Sequence, residues 1–190
     1  MSEGEDIFRA LSPLLDALEI LGIGYYIGGS LASSTHGLPR SSMDADLVCD
    51  LVPEALDRLA DRLGTEYYFD VDAAKKGIRE RSAFNMIHQE TFFKIDVFPL
   101  GRTPYELEAF RRRSQEDLGN RRAFFCSPED IVLRKLEWFR KGGGVSERQW
   151  SDVQGILRVL RKDLDRRYLS RWAPELGVED LLKRALEEAV

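Results

Sequence analysis

The 190-residue sequence has no apolar run approaching the roughly 20 residues a membrane span needs, which excludes a membrane protein of helical type. It has two cysteines, Cys49 and Cys126, far apart and without metal-ligand spacing, which excludes a disulfide scaffold and a zinc cluster. Both are read as reduced thiols of a cytoplasmic protein. Histidine is also scarce: His36 and His88 lie apart from any acidic cluster, which weighs against a histidine-rich hydrolase centre. An excess of positive charge is missing, the formal net charge being -5. The start, Met1 to Asp6, is acidic and polar, unlike a secretory signal. There is no internal repeat and no low-complexity segment.

What is present is a globular composition, 43% hydrophobic and 32% charged. Charge is unevenly spread. Arg111 to Arg171 holds 16 Lys/Arg against 9 Asp/Glu, and the rest holds 12 against 24. A basic half beside an acidic half suits RNA or a phosphate-rich ligand, and it equally suits solvated helix faces.

Apolar residues from Ile7 to Leu21 recur at helical spacing and predict an opening helix that Gly22 and Gly24 stop. Tyr25 to Ile27 reads as a strand, Leu31 to Thr35 as a short helix and Asp44 to Leu51 as a strand. Helices are expected from Pro53 to Leu63, Asp72 to Ser82 and Pro104 to Arg113. Strands are expected at Ala83 to His88, Thr91 to Phe98 and Arg122 to Cys126. Ser127-Pro128-Glu129-Asp130 opens a helix that Gly142-Gly143-Gly144 breaks, and three more helices follow. The expected organisation is a mixed core over 1–126 and a helical region over 127–190. Trp138, Trp150 and Trp172 are read as core, with one free to stack on a base.

Three features carry chemistry. Gly28-Gly29-Ser30 follows a strand and opens a helix, so backbone N–H groups can approach phosphate oxygens and Ser30 can add a hydroxyl. Such a turn is also common without function. Asp44-Ala45-Asp46 starts a strand, where residues two apart share a face, while Ala45, Leu47, Cys49 and Leu51 turn to the core. Paired carboxylates repel unless a cation lies between them, and hard oxygen donors suit Mg²⁺ or Mn²⁺. Asp96 interrupts the apolar strand Phe92 to Phe98, where a carboxylate needs a partner: a metal, or Lys94 on the same face. Lys135 falls within the apolar face formed with Ile131, Val132, Leu136 and Phe139. Binding to phosphate, pairing with Asp152 or a catalytic Asp, or snorkelling would each account for it. Asp152 could pair with Arg148 one turn earlier. Arg40 could hold phosphate, orient Asp46, or form a structural ion pair.

The stretches Tyr26-Ile27-Gly28-Gly29-Ser30-Leu31-Ala32 and His36 to Leu47 (His-Gly-Leu-Pro-Arg-Ser-Ser-Met-Asp-Ala-Asp-Leu) resemble the signature of the polymerase-beta-type nucleotidyltransferases, with Asp96 as the third carboxylate. The form Gly37-Leu38-Pro39-Arg40-Ser41-Ser42-Met43-Asp44-Ala45-Asp46 is similar to the abortive-infection (AbiEii-like) group. Ser127 to Ile131, Lys135, Arg148 and Asp152 resemble that group's helical motif, with Gly142-Gly143-Gly144 and Trp150 as departures. The resemblance covers most of residues 24 to 160.

It implies an α+β fold with a polymerase-beta-like core of mixed sheet and flanking helices, followed by a helical region. It implies transfer of a nucleoside monophosphate from an NTP to RNA (a tRNA end), a protein hydroxyl or a small molecule. Asp44, Asp46 and Asp96 would hold the metal and catalyse. Gly28, Gly29, Ser30, Arg40 and Lys135 would bind nucleotide, with Asp152 and Arg148 supporting them. An antitoxin-like protein partner belongs to the same picture. The alternative is a catalytically silent nucleotide-binding module.

Overall fold

The computed structural model describes residues 3–189, so the first two residues of the acidic start lie outside the described residues. The chain divides into two compact units. The first comprises Met1–Gly28 and Ser41–Phe125, the second Gly29–Arg40 and Cys126–Val190. The second unit therefore takes Gly29–Arg40 as well as the C-terminal helices, a segment the sequence assigns to the core.

The first unit is built on a mixed seven-stranded sheet. Its strands are β1 (Tyr25–Ile27), β2 (Asp44–Cys49), β3 (Tyr67–Tyr68), β4 (Phe84–His88), β5 (Lys94–Pro99), β6 (Ser114–Leu118) and β7 (Arg121–Phe125), in the spatial order β3-β4-β5-β2-β1-β7-β6. β2 runs parallel to β5 and antiparallel to β1, which runs parallel to β7. The central strand β2 alternates strictly: Ala45, Leu47 and Cys49 are buried while Asp44, Asp46 and Val48 are less so. Ile95 and Val97 continue the buried layer on β5.

Helix α1 (Glu3–Ile20) buries Leu11, Leu14, Leu15 and Leu18, and each such side chain contributes about 1.5–3 kcal/mol when fully removed from water. It is tied to the sheet edge-on by Arg121 of β7, which reaches Asp16 and Glu19, and by the Tyr67 hydroxyl, which donates to the Ala10 carbonyl at 2.8 Å. Helix α3 (Ala55–Leu63) buries Leu56, Leu59 and Leu63. Helix α4 (Val71–Glu80) is capped by Asp70. A full capping box between Thr103 and Glu106 starts α5 (Pro104–Arg112).

The second unit is helical: α2 (Gly29–His36), α6 (Pro128–Lys141), α7 (Glu147–Val159), α8 (Arg166–Glu175) and α9 (Glu179–Glu188). Ser127 caps α6, accepting from the Asp130 N–H at 3.2 Å. The buried Asp130 carboxylate accepts from the Tyr168 hydroxyl of α8 at 2.7 Å, and Glu129 accepts from the Asp165 N–H at 2.8 Å. These bonds satisfy acidic groups that burial would otherwise penalise. α2 packs against α7 so closely that a Cβ on Gly37 would lie 2.9 Å from the Ile156 nitrogen. Trp138 departs from the core expectation: it is 55% exposed, whereas Trp172 is buried. Both cysteines are buried free thiols. Among the described residues no helix is long and apolar enough to cross a membrane.

Candidate functional site

In the first unit, the parallel register of β2 and β5 sets Asp44 beside Lys94 and Asp46 beside Asp96. Residues two apart on a strand share a face, and paired strands lie about 4.8 Å apart. Asp44, Asp46, Lys94 and Asp96 thus form a two-by-two grid of charged side chains. The opposite face of the same strands carries the buried Ala45, Leu47, Ile95 and Val97. The apolar alternation that builds the core is therefore also what turns three carboxylates outward together.

Two groups organise the grid. The buried Ser42 hydroxyl donates to the Asp44 carbonyl at 2.9 Å and reaches its carboxylate at 3.2 Å. Lys94 Nζ lies 2.7 Å from Asp96 Oδ2. The hydrogen bond to Asp96 raises the Lys94 ammonium above its ordinary value; partial burial opposes the rise, and the charges of Asp96, Asp44 and Asp46 add to it. At the end of β1 the Gly28 N–H donates to the Asp46 carbonyl at 2.8 Å, so the glycine pair begins level with the second carboxylate. Gly29 has φ +55°, a left-handed conformation that suits glycine.

Among the described residues no three His, Cys, Asp or Glu side chains converge as a ready-made metal cage. Asp96 is engaged by Lys94. The donor set itself fits a hard divalent cation: it is all carboxylate, it lies on one rigid pair of strands, and it already draws one cationic group among its members.

In the second unit, a different cluster forms. Asp152 of α7 lies 2.7 Å from Lys135 Nζ of α6. It accepts two bonds from the Arg40 guanidinium, at 2.8 and 2.9 Å. Arg40 also donates to the Ser30 hydroxyl, and Lys135 to Gln149 at 3.2 Å. Lys135 and Asp152 are both buried. Burial alone would raise the Asp152 carboxyl, but hydrogen bonds from Arg40 and Lys135 outweigh it and hold the group below the usual carboxylate range.

The site residues read from the sequence thus fall into two groups. Asp44, Asp46 and Asp96 come together on one sheet face, with Gly28 at the end of the adjacent strand. Ser30, Arg40, Lys135 and Asp152 come together among the helices. Arg148 joins neither: it is exposed, and no ion pair links it to Asp152. His36 sits at the end of α2 with Nε2 2.8 Å from the Cys126 carbonyl. His88 is buried with Nδ1 2.8 Å from the Thr91 hydroxyl, and burial lowers its basicity. Sequence reasoning gave Lys94 and Gln149 no part in a site. The signal for Lys94 was its same-face spacing to Asp96; Gln149 had none.

No protein-family model matches the chain, and no curated protein matches it. Solved structures do. The lincosamide antibiotic adenylyltransferase LnuA, in its lincomycin-bound form, is 16% identical with a TM-score of 0.51, covering 78% of this chain and 94% of its own. An antigenic nucleotidyltransferase-like protein from Paracoccidioides brasiliensis is 17% identical with a TM-score of 0.60, covering 96% and 93%. ANT(2'')-Ia in complex with adenylyl-2''-tobramycin is 16% identical with a TM-score of 0.55, covering 94% and 97%. At such identities the likeness is one of fold: this chain shares the fold of these nucleotidyltransferases.

Proposed function

We propose that the protein is a divalent-metal-dependent nucleotidyltransferase that moves a nucleoside monophosphate from an NTP to an acceptor hydroxyl. The observation that carries this reading is the set Asp44, Asp46 and Asp96 on one face of paired parallel strands, in a fold shared with enzymes of that class. Asp44 and Asp46 would hold Mg²⁺ or Mn²⁺ with the triphosphate, and Asp96 would share the ion on the acceptor side. When bound, the metal supplies neutralisation of the phosphate charge and Lewis-acid polarisation. The Asp96 carboxylate takes the acceptor hydroxyl's proton. The acceptor oxygen then bonds to the α-phosphorus, the bond from that phosphorus to the bridging oxygen breaks, and pyrophosphate leaves. The Gly28 N–H is taken by the Asp46 carbonyl, so the Gly29 N–H is the candidate phosphate contact on the chain leading from β1.

Ser30, Arg40 and Lys135, expected to touch the nucleotide, are engaged in the Asp152 cluster. That engagement supports an ordering part for them within the helical unit. For the acceptor, the reading favours a small-molecule hydroxyl, because two fold neighbours are solved with an antibiotic or its adenylyl product. RNA is the second candidate, supported by the basic stretch from Arg111 to Arg171. The abortive-infection likeness and an antitoxin-like partner rest on the Gly37 to Asp46 form and the helical motif from Ser127 to Asp152.

The test is pyrophosphate release from each NTP with Mg²⁺, offered aminoglycosides, lincosamides or total RNA, comparing the native chain with Asp44→Asn/Asp46→Asn. Release that depends on one acceptor and on both carboxylates is expected. NTP binding without release for any acceptor would favour the silent binding module, for which the Lys94 grip on Asp96 is the specific support.

A further inference from the structure

The grid on β2 and β5 contains three carboxylates and a single ammonium. Lys94 is the register partner of Asp44 and the same-face neighbour of Asp96, whose carboxylate it holds at 2.7 Å. Asp96 is in turn the register partner of Asp46. Like charges directly opposite one another in a sheet are destabilising, and a cation beside them removes that cost. A lysine can do this reversibly: its ammonium rides on a flexible four-carbon stem, and this side chain is 46% exposed, so it can swing away from Asp96 without unpacking the core. The strand beneath it is fixed by the buried Ile95 and Val97.

We propose that Lys94 is a built-in counter-charge: it occupies Asp96 while no divalent ion is bound, and an ion entering the carboxylate face must displace it. This inference rests on the reading of Asp44, Asp46 and Asp96 as metal ligands. It adds a residue outside that set, one that sets how tightly the ion is held. The same competition ties engagement of Asp96, the proposed proton acceptor, to arrival of the metal. With Lys94 in place the acceptor-side carboxylate is occupied; with Lys94 displaced it is free to serve.

The experiment titrates the full chain with Mn²⁺ alone, following the loss of the free-ion electron paramagnetic resonance signal, and records thermal midpoints with and without Mn²⁺. Removing a unit positive charge about 6 Å from a divalent ion in a water-like dielectric corresponds to roughly tenfold in affinity. Lys94→Met is therefore expected to bind Mn²⁺ about tenfold more tightly than the native chain. Its midpoint should fall without the ion and rise by more than the native one when the ion is added. Lys94→Arg, which keeps the charge, should behave as the native chain. Lys94→Gln, which keeps a polar partner for Asp96, is the second neutral variant and must show the same tightening should Lys94→Met not fold. Mn²⁺ binding that falls with Asp44→Asn/Asp46→Asn but is unchanged or weakened by the neutral variants overturns this inference alone. Binding that ignores Asp44 and Asp46 overturns the metal-site reading, and this inference falls with it.

Discussion

The two units each contain a cluster of opposite charges, and the clusters are inverse in composition. On the sheet face, three carboxylates surround one ammonium. Among the helices, one carboxylate is held by a guanidinium and an ammonium. They also differ in access to water. Lys94 is partly exposed, whereas Lys135 and Asp152 are buried. A buried pair loses hydration and must be satisfied at all times, so it behaves as structure. A half-exposed pair has a weak grip and can be exchanged, so it suits a site. The same residue types serve opposite ends because burial decides how costly it is to separate them.

The largest effect should come from breaking the buried cluster. Asp152→Ala leaves Arg40 and Lys135 without their shared carboxylate, and removal of one partner from a buried ion pair typically costs about 3–5 kcal/mol. Chemical denaturation should show that loss, with Asp152→Asn losing less because an amide still accepts from the guanidinium. Acid should mimic it. The Asp152 carboxyl is held below its ordinary value, so its contribution is complete above the unfolded carboxylate value of about 3.9. It is lost as pH falls through the lower folded value. Helical signal followed by circular dichroism from pH 6 to pH 2 should drop in that acid window, and Asp152→Asn should flatten this component of the drop. A flat native profile across that range would remove Asp152 from the account.

A packing change sharpens the contrast by damaging the helical unit without touching charge. Gly37 ends the α2 segment where a Cβ would sit 2.9 Å from the Ile156 nitrogen and 3.0 Å from the Ser33 carbonyl oxygen. Both are backbone atoms and cannot rotate aside. Gly37→Ala should therefore cost about 1–3 kcal/mol, as over-packing does. Unlike the loss of Asp152, that cost should not depend on pH between 3 and 6, which two denaturation series would reveal.

Much of this arrangement was legible in the sequence, for identifiable reasons. The alternation from Asp44 to Cys49 fixed which face each aspartate takes, and the strand is observed with that pattern. Ser127-Pro128 and the three glycines at 142–144 bracketed α6, which spans Pro128–Lys141. Lys135 sat on an apolar face and is indeed buried. What was not legible had no local signal. Ser114–Leu118 reads Ser-Gln-Glu-Asp-Leu, with no apolar alternation, and is a strand only because β7 pairs with it along five residues. The Gly119-Asn120 turn between them is the one local hairpin signal in that stretch. β3 is two residues long and exists through its pairing with β4. Of the two partners of Asp152, Lys135 was among the pairings its place on an apolar face suggested, whereas Arg40 lies 112 positions away with no local signal, and helical spacing offered Arg148 instead. Trp138 was assigned to the core on residue type alone, whereas its place on α6 leaves it exposed.

The smallest expected stability effect is the most telling about the sheet face. Asp96→Asn removes two contributions of opposite sign. It loses the ion pair with Lys94, which at this exposure is worth no more than about 1 kcal/mol. It also relieves the apposition of Asp96 with Asp46, worth about 0.2–1 kcal/mol in the other direction. The two should nearly cancel, leaving a change within about 0.5 kcal/mol, several-fold smaller than that of Asp152→Ala. Transfer activity should nonetheless be lost, because an amide can neither share a metal ion as a carboxylate does nor take the acceptor's proton. A stability loss as large as that of the buried cluster would make Asp96 a structural ion pair like Asp152. Near-neutral stability with lost pyrophosphate release would place its carboxylate on the chemical side of the comparison, as a group the reaction needs and the fold does not.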